Sequence, residues 1–122
     1  MESWGIVIHP EVRRWLHELR GRDKASLGQI TKALDMVLTG AGPGTGRPLV
    51  DTLTGSNLRN LKELRPGSTG QTEIRLLMIF DAARNMVVLV GGDKSGAWSQ
   101  WYQKAIPLAE QRYERYQRGE WS

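Results

Sequence analysis

Residues 72–93, TEIRLLMIFDAARNMVVLVGGD, decide the fold. Two apolar runs flank the short polar segment 81–85, and both runs are rich in isoleucine, leucine and valine. Such runs indicate β-strands, here over residues 72–80 and 86–93, and a short connection joins antiparallel neighbours. Because both strands are apolar on both faces for most of their length, we expect them at the centre of a sheet that is covered on each side.

A helical half precedes these strands. From Pro10 onward, apolar residues repeat at i, i+3, i+4 and i+7 until Gly21, which is typical of a short amphipathic helix. The same period returns after Asp23, a favoured N-cap residue, and lasts until Gly40. The two helices are predicted to form an antiparallel hairpin. A β-branched run at residues 4–9 predicts an N-terminal strand before them.

Three further segments complete the predicted order. Residues 40–48 carry too many glycines and prolines for a helix or strand, and residues 58–65 predict a strand next to 72–80. Residues 97–119 predict a helix with a break or kink near Ile106 and a fresh start at Pro107, since proline removes a helical hydrogen bond. The order β-α-α-β-β-β-α predicts an α+β fold, a small antiparallel sheet with helices packed on it.

Composition narrows the class of protein. A chain of 122 residues predicts a single domain over residues 1–122. The absence of cysteine excludes disulfides, a thiol nucleophile and sulfur-bound zinc, and no histidine or carboxylate pair has metal-ligand spacing. The apolar runs are far too short to span a membrane, so we expect a cytoplasmic protein without membrane contact, metal or cofactor. A net charge of +4 is too mild to identify a partner by itself.

Strand alternation identifies a candidate site. Glu63 and Arg65 share one face of their strand, and Arg75 is a charged residue inside an otherwise apolar strand. If the two strands pair, these three side chains form one cluster. Two arginines with a carboxylate suit a phosphodiester, because guanidinium groups bind phosphate oxygens bidentately and a carboxylate can accept a proton. The alternative is a cross-strand ion pair between Glu63 and Arg75.

The end of the last strand adds candidates. Gly91 and Gly92 would let the backbone approach a ligand, and Lys94 follows them at the end of the sheet. Trp98 and Tyr102 come next, where an aromatic ring can either stack on a base or pack in the core.

The chain resembles the RelE/HigB superfamily of bacterial toxins, and within it the phage-derived, HigB-like branch. The resemblance covers nearly the whole chain. It is carried by the element order, by a Trp/Tyr-rich C-terminal helix and by these motifs: Gly46-Arg47-Pro48-Leu49-Val50-Asp51, Lys62-Glu63-Leu64-Arg65-Pro66-Gly67-Ser68, Glu73-Ile74-Arg75 and Gly92-Asp93-Lys94.

The resemblance implies the toxin of a type II toxin–antitoxin pair. Such toxins are usually metal-independent, ribosome-dependent mRNA endonucleases, neutralised by a helix-turn-helix antitoxin encoded by an adjacent gene. In the family reaction the ribose 2′-OH attacks the adjacent phosphorus. By resemblance Arg75 stabilises the transition-state phosphate and Arg65 is a basic residue beside it. The remaining implied residues are Glu63 and Lys94 at the catalytic site, and Lys62, Trp98 and Tyr102 as substrate-binding residues.

Two features differ from many relatives. Glu63 stands where many ribosome-dependent members have lysine, so it either accepts a proton or pairs with Arg75. The histidine-containing C-terminal motif of some HigB relatives is absent. Two alternatives therefore stay open: a ParE-type toxin that acts on DNA gyrase by protein binding, and an inactive relative that only binds its antitoxin.

Overall fold

A computed structural model describes residues 4–68 and 70–121 and contains one five-stranded sheet, in the order β1-β5-β4-β3-β2. The α+β class and the helical hairpin between the first strand and the rest of the sheet are confirmed. The elements are β1 (Gly5–Ile8), α1 (Pro10–Arg22), α2 (Lys24–Thr39), β2 (Val50–Thr52), β3 (Lys62–Leu64), β4 (Ile74–Phe80), β5 (Asn85–Asp93) and α3 (Trp98–Gln117). No helix in the described part of the chain is long and apolar enough to cross a membrane.

The sheet is mixed rather than purely antiparallel. β2, β3, β4 and β5 pair antiparallel in succession, whereas β1 runs parallel to β5, with Gly5 opposite Asn85 and Ile8 opposite Val88. A parallel neighbour needs a long crossover, and the α1–α2 hairpin lies within the crossover between β1 and the rest of the sheet. Strand β2 was not predicted, because three residues after Pro48 are too few to show a period.

Helix ends follow the predicted capping, with one exception. Asp23 caps α2, since its side chain accepts a hydrogen bond from the backbone N–H of Ser26 at 3.2 Å. Helix α1, however, continues through Gly21 to Arg22. The predicted loop at residues 40–48 contains a single 3₁₀ turn, Gly42–Gly44.

The break and fresh helix start predicted at Pro107 are wrong, because α3 is one continuous helix of 20 residues. Pro107 and the residue four positions earlier, Gln103, are both exposed, so the missing hydrogen bond lies on the solvent side, where water can replace it. Ala105 and Ala109 are buried on the opposite side and pack both halves of the helix against the sheet.

Each face of the sheet has its own apolar core. Helices α1 and α2 cover one face, over Leu64, Leu76 and Met78, and α3 covers the other, over Leu61 and Leu77. The central strands are therefore covered on both sides, as their composition predicted. The face under α3 also carries the polar residues of the candidate site.

Gly91 and Gly92 serve packing rather than the predicted approach of a ligand. A Cβ atom on Gly91 would lie 2.6 Å from the Trp15 ring, and one on Gly92 would lie 2.7 Å from Nε1 of Trp101. The two indoles sit on opposite faces of β5, one from α1 and one from α3. The glycines thus let both helices pack closely against the sheet.

Candidate active site

The candidate site lies beneath the N-terminal half of α3, where the ends of β3, β4 and β5 meet. Glu63 is opposite Leu77 in the β3–β4 register, and Arg75 lies two residues further along on the same face. Lys94 follows β5, and Tyr102 comes from the second turn of α3. Sheet register and helix position thus bring these side chains together.

Glu63 is the centre of the cluster and its side chain is fully buried. Its Oε1 accepts a hydrogen bond from Nε of Arg65 at 3.0 Å and lies 3.9 Å from Nε of Arg75. Its Oε2 accepts a short hydrogen bond from the hydroxyl of Tyr102. Burial and the Glu63 carboxylate raise the pKa of Tyr102, so this hydroxyl remains a donor. The Glu63 carboxylate therefore connects β3 and β4 to α3.

Arg65 is held from a second side by Asp51 of β2. Oδ2 of Asp51 accepts hydrogen bonds from Arg65 at 3.2 Å and from Arg47 at 3.0 Å. The hydrogen bond from Arg47 is the main cause that lowers the pKa of Asp51, which keeps this carboxylate charged. Asp51 was missed as a site residue, because only strand β2, itself unpredicted, places it opposite Glu63.

Arg75 retains unused hydrogen-bonding capacity. One of its terminal nitrogens donates to the carbonyl of Ile74 at 2.8 Å. Its Nε is buried and forms no hydrogen bond within the described part of the chain. The side chain is 16 % exposed, and most of the five N–H donors of its guanidinium group have no partner among the described residues.

Lys94 is buried, with only 3 % of the residue exposed. Its Nζ lies 3.7 Å from the centroid of the Trp98 ring and 5.2 Å from that of Tyr102, so it makes cation–π contacts with both. An ion pair at 3.9 Å connects it to Glu73. Burial, and next the charge of Arg75, lower the pKa of Lys94. Its proton is therefore more easily given up than that of a solvated lysine.

The predicted substrate-binding residues Trp98 and Lys62 lie at different distances from the cluster. Trp98 is 61 % exposed and lies at the rim of the cluster, where its Nε1 donates to Glu73 at 3.3 Å. Trp101 instead packs against the core under α3. Lys62 does not join the cluster, since it lies on the opposite face of β3, and its Nζ donates to the Thr52 hydroxyl at 2.8 Å.

The cluster joins cationic groups to carboxylates and leaves the donors of Arg75 largely unpaired. Arg65 and Arg75 pair with the buried Glu63 carboxylate, Asp51 and Glu73 pair with Arg65 and Lys94, and the exposed indole of Trp98 lies beside Lys94. Such an arrangement attracts a phosphate group and offers a stacking surface for a base.

Comparisons with known proteins give this site its family context. The model of the family described as "Phage derived protein Gp49-like" matches residues 17–114. A Mycobacterium tuberculosis protein named "Putative toxin HigB3" is 41% identical over 111 residues, which cover 91% of both chains. Another from that organism, "Putative toxin HigB2", is 43% identical over 103 residues, 84% of this chain and 51% of the relative.

No solved structure matches the chain. The family match and the relatives both span most of its length and include every residue of the cluster. The chain therefore belongs to the phage-derived Gp49-like family, the HigB-like branch of the RelE/HigB toxin superfamily.

Proposed function

We propose that this protein is the toxin of a type II toxin–antitoxin system and cleaves mRNA on the ribosome. The names of its relatives support the toxin role. The Arg75 guanidinium group, whose donors are largely unpaired and which pairs with the same carboxylate as Arg65, carries the nuclease proposal, since it can bind the oxygens of a scissile phosphate. The same proposal includes a cytoplasmic location and neutralisation by a helix-turn-helix antitoxin that an adjacent gene encodes.

In the proposed reaction the ribose 2′-oxygen bonds to phosphorus while the bond to the 5′-oxygen breaks. Arg75 and Arg65 bind the non-bridging oxygens, where negative charge accumulates. Lys94, which lies against the Trp98 ring, offsets the negative charge that develops on the departing 5′-oxygen, and water gives that oxygen its proton. The 2′-OH proton leaves to water, and the ribosome supplies the alignment of the message.

The geometry favours the ion-pair role for Glu63 over the base role. Its carboxylate is enclosed and already accepts hydrogen bonds from Arg65 and Tyr102, so a substrate hydroxyl reaches it only if Tyr102 moves. We therefore assign Glu63 to positioning both arginines.

Induction of the protein in a bacterial host tests this function. The wild type is expected to arrest growth and to create new transcript 5′ ends. Arg75→Ala should lose both effects, because removal of one transition-state donor typically lowers the rate about 10²–10³-fold. Arg75→Lys keeps the charge without the planar fork and should retain only a small part of the activity. Lys32→Ala, which removes an exposed positive charge on α2, is the matched control and should remain toxic.

Two results would contradict the nuclease role. Growth arrest without new transcript ends, accompanied by DNA breaks and unaffected by Arg75→Ala, would assign the protein to the gyrase-directed class. The absence of arrest by a folded, soluble wild type would point to a relative that only binds its antitoxin.

A further inference from the structure

Glu73 lies at the rim of the candidate site, and the proposed reaction does not use it. It directly precedes β4, and strand alternation places its side chain on the same face as that of Arg75, two residues further along. The Glu73 N–H donates to Oδ1 of Asp93 at 3.0 Å, and its carbonyl accepts from the N–H of Lys94 at 3.1 Å. The backbone that carries the Glu73 side chain is therefore fixed against the end of β5.

The Glu73 carboxylate is accessible and can accept further hydrogen bonds. Its side chain is 42 % exposed. Oε2 accepts a long hydrogen bond from Nε1 of Trp98 at 3.3 Å and lies 3.9 Å from Nζ of Lys94. Oε1 has no partner among the described residues. Since an ionised carboxylate can accept about four hydrogen bonds, both oxygens have room for a ligand's donors.

Trp98 provides a stacking surface beside this carboxylate. Nζ of Lys94 lies over one face of the indole, 3.7 Å from the ring centroid, yet Trp98 is 61 % exposed, so its other face is open. The hydrogen bond from Nε1 directs one edge of the indole toward Glu73. A nucleobase stacked on the open face would therefore bring an edge of its own toward the Glu73 carboxylate.

The spacing between Glu73 and Arg75 suits a single nucleotide. Residues two apart along a strand are separated by about 7 Å, a distance that one ribose can span. A nucleotide whose phosphate is bound by Arg75 can therefore place its base against Trp98 and Glu73.

Of the four RNA bases, guanine fits a carboxylate best. Its Watson–Crick edge presents two neighbouring donors, N1–H and the 2-amino group, which a carboxylate can accept together. Adenine and cytosine each place an acceptor nitrogen beside one amino group, and uracil places a carbonyl on each side of one N–H. We propose, on the basis of the proposed function, that Glu73 is a specificity-determining residue that selects a guanosine next to the scissile phosphate.

Binding of nucleoside monophosphates to the full ¹⁵N-labelled chain tests this role without requiring cleavage. Both the 3′- and the 5′-monophosphates of the four nucleosides are titrated, because the scissile phosphate has a nucleoside on each side. One guanosine isomer is expected to bind about tenfold more tightly than the same isomers of the other three, as one bidentate base contact allows. It should also shift the indole N–H signal of Trp98, which Trp98→Phe identifies.

Glu73→Gln replaces one acceptor by an amide donor and should lose the tenfold preference for guanosine. It should bind inorganic phosphate at least as well as the wild type, because a negative charge is removed. Glu120→Gln is the matched control: the Glu120 side chain is 46 % exposed and lies 3.7 Å from Arg118, and its loss should leave the preference unchanged. Trp98→Leu should weaken all four monophosphates about tenfold, since stacking tolerates every base.

Equal binding of the four monophosphates by the wild type would overturn the role of Glu73. A guanosine preference that survives in Glu73→Gln would also overturn it and would assign the preference to stacking on Trp98. Neither result affects the nuclease proposal while inorganic phosphate binds to the wild type and not to Arg75→Ala. A folded protein that binds neither phosphate nor nucleotide would overturn the phosphate site on which both proposals depend.

Discussion

At the scale of single residues, Glu63 determines how the cationic groups are arranged. A carboxylate without solvent contact is strongly destabilising unless it is paired, and here Arg65, Arg75 and Tyr102 satisfy it. The same contacts keep the two arginines at the surface in a defined orientation. Stability and the geometry of the site thus depend on one side chain.

Glu63→Gln is expected to lower the free energy of unfolding substantially. Breaking a buried ion pair by removing one partner typically costs about 3–5 kcal/mol, since the remaining charges lose their partner. Glu114→Gln is the matched control, because Glu114 pairs with Arg118 at the surface, where an ion pair contributes about 0–1 kcal/mol. Urea unfolding followed by circular dichroism measures both. Equal losses for the two variants would show that the Glu63 cluster does not stabilise the fold.

Strand parity predicted that three residues of the cluster lie together, but it did not predict the residues that surround them. Glu63, Arg65 and Arg75 lie together because residues two apart share a face, which is readable from sequence. Asp51 was missed since its strand is too short to show a period. The burial of Lys94 between two aromatic rings depends on where α3 crosses the sheet, and no local pattern encodes that position.

At the scale of elements, the two glycines at the end of β5 set how closely the helices approach the sheet. Gly92→Ala would place a Cβ atom 2.7 Å from Nε1 of Trp101, so the start of α3 must shift away. We expect a loss of about 1–3 kcal/mol in unfolding free energy, typical of overpacking. Toxicity should fall as well, because α3 also carries Tyr102 and Trp98.

Gly28→Ala is the matched control for this prediction. Gly28 is an exposed position inside α2, and a Cβ there meets no atom within 4 Å. Alanine should therefore stabilise the protein by about 0.5–1 kcal/mol through its helix propensity. Thermal unfolding of both variants measures the contrast. A Gly92→Ala protein as stable and as toxic as the wild type would contradict the close packing of α3.

The start of α1 predicts a dependence of stability on pH. Nδ1 of His9 accepts a hydrogen bond from the Glu11 N–H at 3.0 Å, and burial followed by the charge of Arg112 lowers the His9 pKa from 6.5 to about 4. Between these values the unfolded chain binds a proton that the folded chain does not. The contribution of His9 to stability is therefore complete above about pH 6.5 and is lost as the pH falls toward 4.

Urea midpoints between pH 7 and pH 4, about the range of the two pKa values, test this dependence. His9→Asn keeps a side-chain cap without a titrating ring, so its midpoint should fall less steeply over this range than that of the wild type. Identical slopes for the two proteins would show that His9 does not titrate with folding.

Periodic elements were predictable and short or non-local ones were not. The apolar periods of α1, α2, β4 and β5 were long enough to place each element near its observed bounds. The continuity of α3 through Pro107 depends on tertiary contacts of Ala105 and Ala109, which outweigh a local breaker. The parallel pairing of β1 depends on the path of the helical hairpin, which is a property of the whole chain.

At the scale of the whole molecule, the proposed phosphate site occupies one face of the sheet. That face lies under α3, and helices α1 and α2 cover the other face. A mild net charge of +4 is compatible with the proposed nuclease role. If the ribosome holds the message, a few arginine and lysine side chains are enough to bind the scissile phosphate. Arg13→Glu combined with Arg14→Glu should therefore leave growth arrest intact, as measured by viable counts after induction.

The most direct measurement of the central claim is the chemistry of the RNA ends. The purified protein is added to a translating mixture of purified ribosomes and a defined mRNA, and the fragments are sequenced after end-specific ligation. Attack by the 2′-oxygen predicts 2′,3′-cyclic phosphate and 5′-hydroxyl ends with the wild type, and their loss with Arg75→Ala. Intact mRNA, fragments with 5′-phosphate ends, or equal cleavage by Arg75→Ala would contradict the account.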